Sequence, residues 1–240
     1  MHDLEKIVYL DMQKTGSTRT VDFLNKCSTL QLQFFSAHFA LTQEYSRPDA
    51  FFFTTVRNPF DLYVSSFRFG CDGPDSIRLW MEAHGVTWLY EPTNEAFNAW
   101  VEFISDPQHA RAIGEGFELV SKFGVGIMSY RHLVYSIRHP SHRMLNIRSR
   151  AEFDETYEQE NQMHQVIRSE ELDDELQKLA REHFPQYFDQ ELVDIYFGRP
   201  RDINVTQTGK AEDFEFSPAM RELVREREQF LLQRYYPDEA

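Results

Sequence analysis

Near the start of the chain, short apolar runs alternate with polar turns and with segments of helical spacing. The apolar run 7–10 is followed by a polar turn and by a segment to about residue 27 with helical spacing of its apolar positions. A second continuous apolar run, 51–56, ends in a polar turn before a predicted helix over 60–67. Continuous apolar runs are typical of strands that are covered on both faces of a parallel sheet. The pattern therefore predicts an open α/β sheet with its ligand at the carboxyl ends of the strands.

The rest of the chain adds elements to this framework. Further strands are predicted at 32–35 and 163–167, and further helices at 93–104, at 173–183 and from the serine–proline pair at 217–218. Residues 71–91 mix Gly, Pro and aromatics, which predicts an irregular insertion of the kind that often shapes a binding site. No repeat, low-complexity tract or linker divides the sequence, so we predict a single domain over residues 1–240.

Size and composition fit one large α/β domain and exclude several classes of protein. The chain has 240 residues, of which 41% are hydrophobic, enough for a sizeable core. No apolar run is long enough to cross a bilayer, and the first strand begins almost at once, without the pattern of a signal peptide. Cys27 and Cys71 give neither a disulfide framework nor a metal-site spacing. We therefore expect a cytoplasmic protein without a transmembrane segment.

The charge of the chain limits its partners. A formal net charge of −14 argues against a general nucleic-acid binder, and also against a highly sulfated polymer as substrate. Residues 122–150 nevertheless contain six basic side chains and no acidic ones, while acids crowd residues 152–175. Two interpretations of the basic stretch stay open. It is a solvated surface or an ion-pair partner for the acidic run, or it forms a rim that attracts an anionic ligand or acceptor.

The first polar turn predicts a phosphate site. It contains Lys14 and Gly16 and leads into a helix that opens on the hydroxyl residues Ser17 and Thr18. Such a turn directs backbone N–H groups and the positive end of a helix dipole at one point, and a glycine lets the ligand approach the backbone. The lysine precedes the glycine, whereas an ATPase P-loop requires G-x-x-x-x-G-K-[ST]. A different phosphate-bearing ligand is therefore indicated.

A second cationic turn follows the second long strand. Arg57 stands at the strand end, with Asn58 and Pro59 after it, and Ser65 comes eight residues later, about two turns into the next helix. An arginine fork together with a hydroxyl is suited to a phosphate monoester. Two such turns in order, each after an apolar strand, are much stronger evidence than either alone.

In these two turns the sequence resembles the sulfotransferases that use 3′-phosphoadenosine-5′-phosphosulfate (PAPS). Residues 13–18 resemble the 5′-phosphosulfate loop of that family, and residues 57–65 resemble its 3′-phosphate motif. A weaker likeness covers residues 164–172, where a strand precedes the Glu171–Leu172 pair. The resemblance implies the P-loop-like sulfotransferase fold, a three-layer α/β arrangement of an open parallel sheet with helices on both faces. The sequence lacks the Arg-Lys-Gly segment that the cytosolic small-molecule sulfotransferases have near the C-terminus, which points to a bacterial or carbohydrate-type member.

The resemblance implies a role for each matching residue. Lys14 would hold the bridging and sulfonyl oxygens, Arg57 and Ser65 would bind the 3′-phosphate, and the loop would bind the 5′-phosphate. The loop groups are the backbone of Thr15, Gly16, Ser17 and Thr18 and the hydroxyls of the last two. Arg19 would add charge near the cofactor, and Lys210 is the nearest substitute for the Arg-Lys-Gly segment of the cytosolic small-molecule enzymes. No metal is required.

The implied reaction transfers the sulfonyl group of PAPS to a hydroxyl or amine of a carbohydrate, lipid or small-molecule acceptor. His38, between the two cofactor motifs, is the candidate general base, since histidine titrates near neutral pH. A histidine bonded into the packing beside Phe35 and Phe39 is an equal alternative. Weaker candidates for the base are Glu44, His84 and Glu91.

Two other functions stay open at this point. A nucleotide or small-molecule kinase shares this type of sheet and phosphate turn, although the GK[ST] order and a clear magnesium-binding aspartate are missing from the sequence. A non-catalytic nucleotide-binding protein would keep the pocket and lack the transfer chemistry. The presence of Lys14 makes this second alternative weaker.

Overall fold

The computed structural model describes residues 1–73, 75–198 and 214–240. Its contacts divide the chain into two compact units. The first unit is built from residues 1–57, 135–138 and the described part of 162–207, and the second from 58–134, 139–161 and the described part of 208–240. The single domain over residues 1–240 stays a prediction.

Four strands and one helix lie within residues 1–56, and a long series of helices precedes the fifth strand. The strands are β1 His2–Asp3, β2 Ile7–Leu10, β3 Phe34–Phe35, β4 Phe51–Val56 and β5 Gln165–Arg168. The helices are α1 Ser17–Cys27, α2 Pro59–Asp72, α3 Ser76–Ala83, α4 Asn94–Ser105, α5 Ala110–Ile113, α6 Ile127–Ser136, α7 Pro140–Met144, α8 Arg150–Glu160, α9 Leu172–Lys178, α10 Gln190–Phe197, α11 Pro218–Arg227 and α12 Gln229–Tyr235.

The first unit contains a five-stranded open sheet in the order β3-β1-β2-β4-β5. The strands β2, β4 and β5 are parallel, with Ile7 opposite Phe51 and Phe53 opposite Gln165. The predicted α/β fold with a parallel sheet is confirmed in this central part. The short strands β1 and β3 pair antiparallel, so the complete sheet is mixed. The apolar run at 32–35 contributes only the two residues of β3.

The two faces of the sheet are covered differently. One face presents Tyr9, Phe53 and Ile167 to a core that also contains residues of α1, α9 and α10. The other face presents Val8 and Phe52 to a second core, which is built with residues 39–50. Burial on both faces explains the unbroken apolar runs of β2 and β4, because neither face of these strands meets water.

The second unit is helical and begins with α2. Asn58 caps this helix, and its side chain accepts a hydrogen bond of 3.0 Å from the Phe60 amide. The unit has an aromatic core around the fully buried Trp100, with Phe67 and Phe97 at ring-centroid distances of 5.4 and 6.5 Å. Ring edges and faces pack at these distances in protein cores.

Residues 71–91 are more regular than expected. They contain α3, whose N-cap residue Asp75 accepts a 2.6 Å hydrogen bond from the Arg78 amide. The helix buries only Ile77 and Met81, one turn apart. Two apolar positions give too short a periodic signal for a helix to be recognised in the sequence.

Two arginines of the basic stretch 122–150 form ion pairs with the acidic run within the second unit. Arg143 lies 2.7 Å from Glu160, and Arg150 lies 3.7 Å from Asp154. Both carboxylates belong to α8, the first part of the acidic run. These contacts favour the ion-pair interpretation of the stretch over the anion-attracting rim. Within residues 1–73, 75–198 and 214–240, no helix combines the length and apolar character that a membrane span needs.

Candidate functional site

The loop between β2 and α1 has the backbone of a phosphate-binding turn. Lys14 has φ 64° and Gly16 has φ 95°, both in the left-handed region. Gly16 is the N-cap of α1 and offers no side-chain cap, so the first N–H groups of the helix are left for a ligand. The predicted turn is therefore formed, with Lys14 three residues ahead of the helix.

Residue 16 must be a glycine for two reasons: its left-handed backbone angle and the close approach of the Leu172 side chain. A Cβ atom on residue 16 would lie 2.7 Å from Leu172 Cδ2. Leu172 is the first residue of α9 and the leucine of the Glu171–Leu172 pair. Two of the three segments that resemble sulfotransferases, the loop at 13–18 and the segment at 164–172, are thus in contact.

A chain of hydroxyl groups fixes the loop to β4. Thr15 is buried and donates a 2.8 Å hydrogen bond to the main-chain oxygen of Met12. Its oxygen lies 2.6 Å from that of Thr55, which lies 2.8 Å from the hydroxyl of Tyr9. Since each hydroxyl has one proton, Tyr9 donates to Thr55 and Thr55 donates to Thr15. Burial raises the pKa of Tyr9, which keeps the phenol protonated for this role.

This network defines what the loop offers to a ligand. The side chain of Thr15 is committed to the interior, so only its backbone N–H remains for the predicted phosphate contact. Lys14 and Ser17 are partly exposed, and Thr18 is exposed. Their side chains lie at the surface of the loop, as the predicted roles require.

Arg19 has firm partners within the first unit. Its guanidinium lies 3.3 and 3.4 Å from the two carboxylate oxygens of Asp173 and stacks on the ring of Tyr196, 4.1 Å from the centroid. These contacts tie α1 to α9 and α10. They favour a structural role for Arg19 over the predicted role near the cofactor.

The predicted 3′-phosphate residues occupy the expected elements. Arg57 directly follows β4 and is partly exposed. Because β2 and β4 are adjacent and parallel, Arg57 lies at the same edge of the sheet as the Lys14 loop. Ser65 lies on α2 in the second unit and is also partly exposed. Lys210 lies outside the described residues.

His38 is attached to the residue that begins the loop. Its amide donates to the two carboxylate oxygens of Asp11 at 3.1 and 3.0 Å. Its ring Nδ1 lies 3.1 Å from the main-chain oxygen of Asp11 and 3.3 Å from Asp11 Oδ2. The candidate base thus lies beside the start of the phosphate loop, although His38 and Asp11 are 27 positions apart in sequence.

Asp11 is the residue of this site that sequence reasoning missed. The available signal was an aspartate directly after an apolar strand, at the start of the predicted phosphate loop. The weaker base candidates have less structural support. His84 Nδ1 lies 2.8 Å from the main-chain oxygen of Trp80, and Glu44 and Glu91 are exposed. In the part of the chain that the structure describes, no three His, Cys, Asp or Glu side chains are grouped as a metal site requires.

Comparison with known proteins agrees with this geometry. A family model described as "Sulfotransferase family" matches residues 1–198 of the 240-residue chain. The match includes both phosphate turns, His38 and the Glu171–Leu172 pair. No curated protein and no solved structure matches the chain significantly. The family match decides against the kinase alternative. The chain belongs to the sulfotransferase family, whose enzymes transfer a sulfonyl group and generally take it from PAPS.

Proposed function

We propose that this protein transfers the sulfonyl group of PAPS to a hydroxyl, or an amine, of a carbohydrate, lipid or small-molecule acceptor. The product of the donor is adenosine 3′,5′-bisphosphate. The observation that carries the proposal is the β2–α1 loop. Its left-handed Lys14 and Gly16 stand at the start of an 11-residue helix, and the loop is held by Thr15 and Leu172.

The loop is proposed to bind the 5′-phosphosulfate. The first N–H groups of α1 and the hydroxyls of Ser17 and Thr18 supply donors, and the helix dipole favours an anion there. Lys14 adds a full positive charge beside the scissile S–O bond. As that bond breaks, negative charge grows on the leaving phosphate, so a fixed cation stabilises the transition state more than the ground state.

Arg57 and Ser65 are proposed to bind the 3′-phosphate. The parallel pairing of β2 and β4 supports this for Arg57, since residue 57 follows β4 at the sheet edge that carries the loop. A guanidinium forms paired hydrogen bonds with phosphate oxygens. ATP and ADP lack a 3′-phosphate, so this contact makes the site bind PAPS in preference to the common nucleotides.

His38 is proposed to act as the general base. The acceptor oxygen attacks sulfur, the bond between sulfur and the bridging oxygen of the 5′-phosphate breaks, and the acceptor proton passes to the imidazole. Base catalysis of this kind contributes about 10²–10⁴-fold. Holding donor and acceptor in line supplies most of the remaining rate.

The acceptor site is proposed to involve residues 71–91. Two aromatic side chains of this segment, Trp80 and Trp88, are 45% and 65% exposed, whereas Trp100 is buried in the core. Exposed indole rings present apolar faces that an acceptor ring can cover. The net charge of −14 disfavours a polyanionic acceptor.

Transfer of label from ³⁵S-PAPS tests the proposed function. The acceptor panel contains neutral oligosaccharides, glycolipids, phenols and amines. We expect label in at least one class with the wild type, and a loss of at least about 10²-fold with Lys14→Ala. Lys26→Ala, which removes an exposed lysine paired with Asp22, is the matched control and keeps transfer. Label in no class would contradict the proposal.

A further inference from the structure

We propose that Asp11 is a positioning residue that fixes the imidazole of His38 with its proton on Nδ1, so that Nε2 receives the proton of the acceptor. The inference rests on the proposed function, because it deepens the role of the base in that reaction. Asp11 itself does not touch the reacting atoms in this scheme. It determines which ring nitrogen carries the lone pair.

The assignment of the proton follows from the partners of Nδ1. The two atoms near it are the main-chain oxygen of Asp11 at 3.1 Å and the carboxylate Oδ2 of Asp11 at 3.3 Å. Both atoms accept hydrogen bonds and neither donates one. A neutral imidazole has one N–H, and here that N–H satisfies the Asp11 oxygens only if it is on Nδ1. Nε2 is then the basic nitrogen.

Asp11 also fixes the backbone that carries the ring. His38 has φ 52°, a left-handed angle that is uncommon for any residue other than glycine. Its amide donates to both oxygens of the Asp11 carboxylate, at 3.1 and 3.0 Å. The aspartate therefore holds His38 at the main chain and at the ring. Two attachments at one residue restrict both the position and the rotation of the imidazole.

The surroundings leave one side of the pair accessible. The side chain of Asp11 is 5% exposed and that of His38 is 35% exposed. Asp11 also accepts a hydrogen bond from the Met1 amine. A buried carboxylate behind a half-exposed imidazole is the arrangement that orients a base while its far nitrogen faces the substrate.

The pair lies within reach of the transferred group. Asp11 precedes Lys14 by three residues, so their α-carbons are at most about 11 Å apart. A sulfonyl group held by Lys14 and an acceptor bound beside it are then within the span of two side chains. In the reaction, the acceptor O–H proton moves to Nε2 as the O–S bond forms. The resulting imidazolium is stabilised by the Asp11 carboxylate.

The tautomer of His38 in the wild-type protein is the direct test. With ¹⁵N-labelled histidine, long-range ¹H–¹⁵N correlation spectra at a pH where the ring is neutral distinguish the two nitrogens. The resonances of His38, one of nine histidines, are those lost in His38→Gln. We expect the Nδ1–H form. A predominant Nε2–H form would overturn the proposal without any reference to activity.

Asp11→Asn tests the function of the pair. An amide places N–H donors where the carboxylate accepted, so we expect a lower population of the Nδ1–H form. We also expect kcat to fall at least about tenfold, with little change in KM for PAPS. Complete loss of the base, at about 10²–10⁴-fold, sets the upper limit of this effect. Unchanged kcat with the Nδ1–H form lost would also overturn the proposal.

Asp3→Asn is the matched control for this substitution. Asp3 is likewise buried in the first unit, and its carboxylate accepts hydrogen bonds from Tyr45 at 2.8 Å and Arg47 at 3.0 Å. We expect the control to lower stability and to leave the tautomer of His38 unchanged. Titration with adenosine 3′,5′-bisphosphate tests the proposed function separately from the role of Asp11. Failure to bind the bisphosphate would contradict the proposed function, whereas the tautomer of His38 tests only the Asp11–His38 pair.

Discussion

Leu172 lies so close to Gly16 that a Cβ atom on residue 16 would be 2.7 Å from Leu172 Cδ2. The contact joins the N-terminus of α1 to the start of α9, and it occurs where the chain has φ 95°. The backbone angle and the close approach are independent reasons for a glycine at this position.

Gly16→Ala is therefore expected to destabilise the protein by more than the about 1–2 kcal/mol that a left-handed angle alone costs. Gly85→Ala is the matched control, because Gly85 has φ 79° and a Cβ there meets nothing within 4 Å. Urea denaturation of both variants measures the difference. In the Leu172→Ala background, which already lacks the buried leucine, Gly16→Ala should cost less than in the wild type, by the part that is due to the clash. Equal destabilisation by the two glycine substitutions would show that Leu172 does not constrain the loop.

Thr55→Val tests whether the hydroxyl chain orders the phosphate loop. The substitution removes the link between Tyr9 and Thr15, and the buried partners left behind cost about 1–3 kcal/mol. We expect weaker binding of adenosine 3′,5′-bisphosphate in addition to lower stability. The affinity measured by calorimetry should change little in Thr54→Val, which loses only the 2.6 Å bond to the main-chain oxygen of Leu10. Equal loss of affinity in the two variants would speak against a specific role of the chain.

We expect His132 to make the stability of the protein sensitive to acid. Burial, and secondarily the charge of Arg234, lowers the pKa of His132 to about 3. The unfolded chain takes up this proton near pH 6.5 and the folded protein does not, so the contribution of neutral His132 to stability is complete above that pH. It is lost as the pH falls toward 3, with a slope of up to about 1.4 kcal/mol per pH unit.

Denaturant unfolding at a series of pH values checks this prediction. The His132 side chain lies 3.3 and 3.2 Å from the hydroxyls of Tyr157 and Tyr235, and glutamine keeps a polar group there. We expect His132→Gln to be less stable at pH 7 and to show a smaller loss of stability between pH 6.5 and 4. The same pH dependence in wild type and variant would assign the acid sensitivity to other groups.

The parts of the fold that could be predicted from the sequence are those with local signals. Continuous apolar runs identified β2 and β4, and the sequence after Arg57 identified the start of α2. Strand β1 has only the polar residues His2 and Asp3, and its position is set by pairing with β2. A pairing between strands leaves no periodic signal in so short a segment.

In the candidate site, too, only the part with a local signal could be predicted from the sequence. The Lys14 loop is contiguous in sequence, so its chemistry could be recognised there. The contact of Asp11 with His38 joins residues 27 positions apart. Glu228 is a more distant example: its fully buried carboxylate accepts bonds from the Ser129 amide at 2.8 Å and from Tyr63 at 2.8 Å. Contacts of this kind follow from tertiary packing, which no local pattern reports.

Calorimetric titration with adenosine 3′,5′-bisphosphate, beside ADP and ATP with Mg²⁺, tests the central claim most directly. We expect the bisphosphate to bind roughly 10–10²-fold more tightly than ADP, as one charge-assisted phosphate contact provides. Arg57→Ala should abolish this preference. Arg143→Ala, in which the lost guanidinium pairs with Glu160, should retain it. No preference in the wild type, or tighter binding of ATP with Mg²⁺, would contradict the assignment of PAPS as the donor.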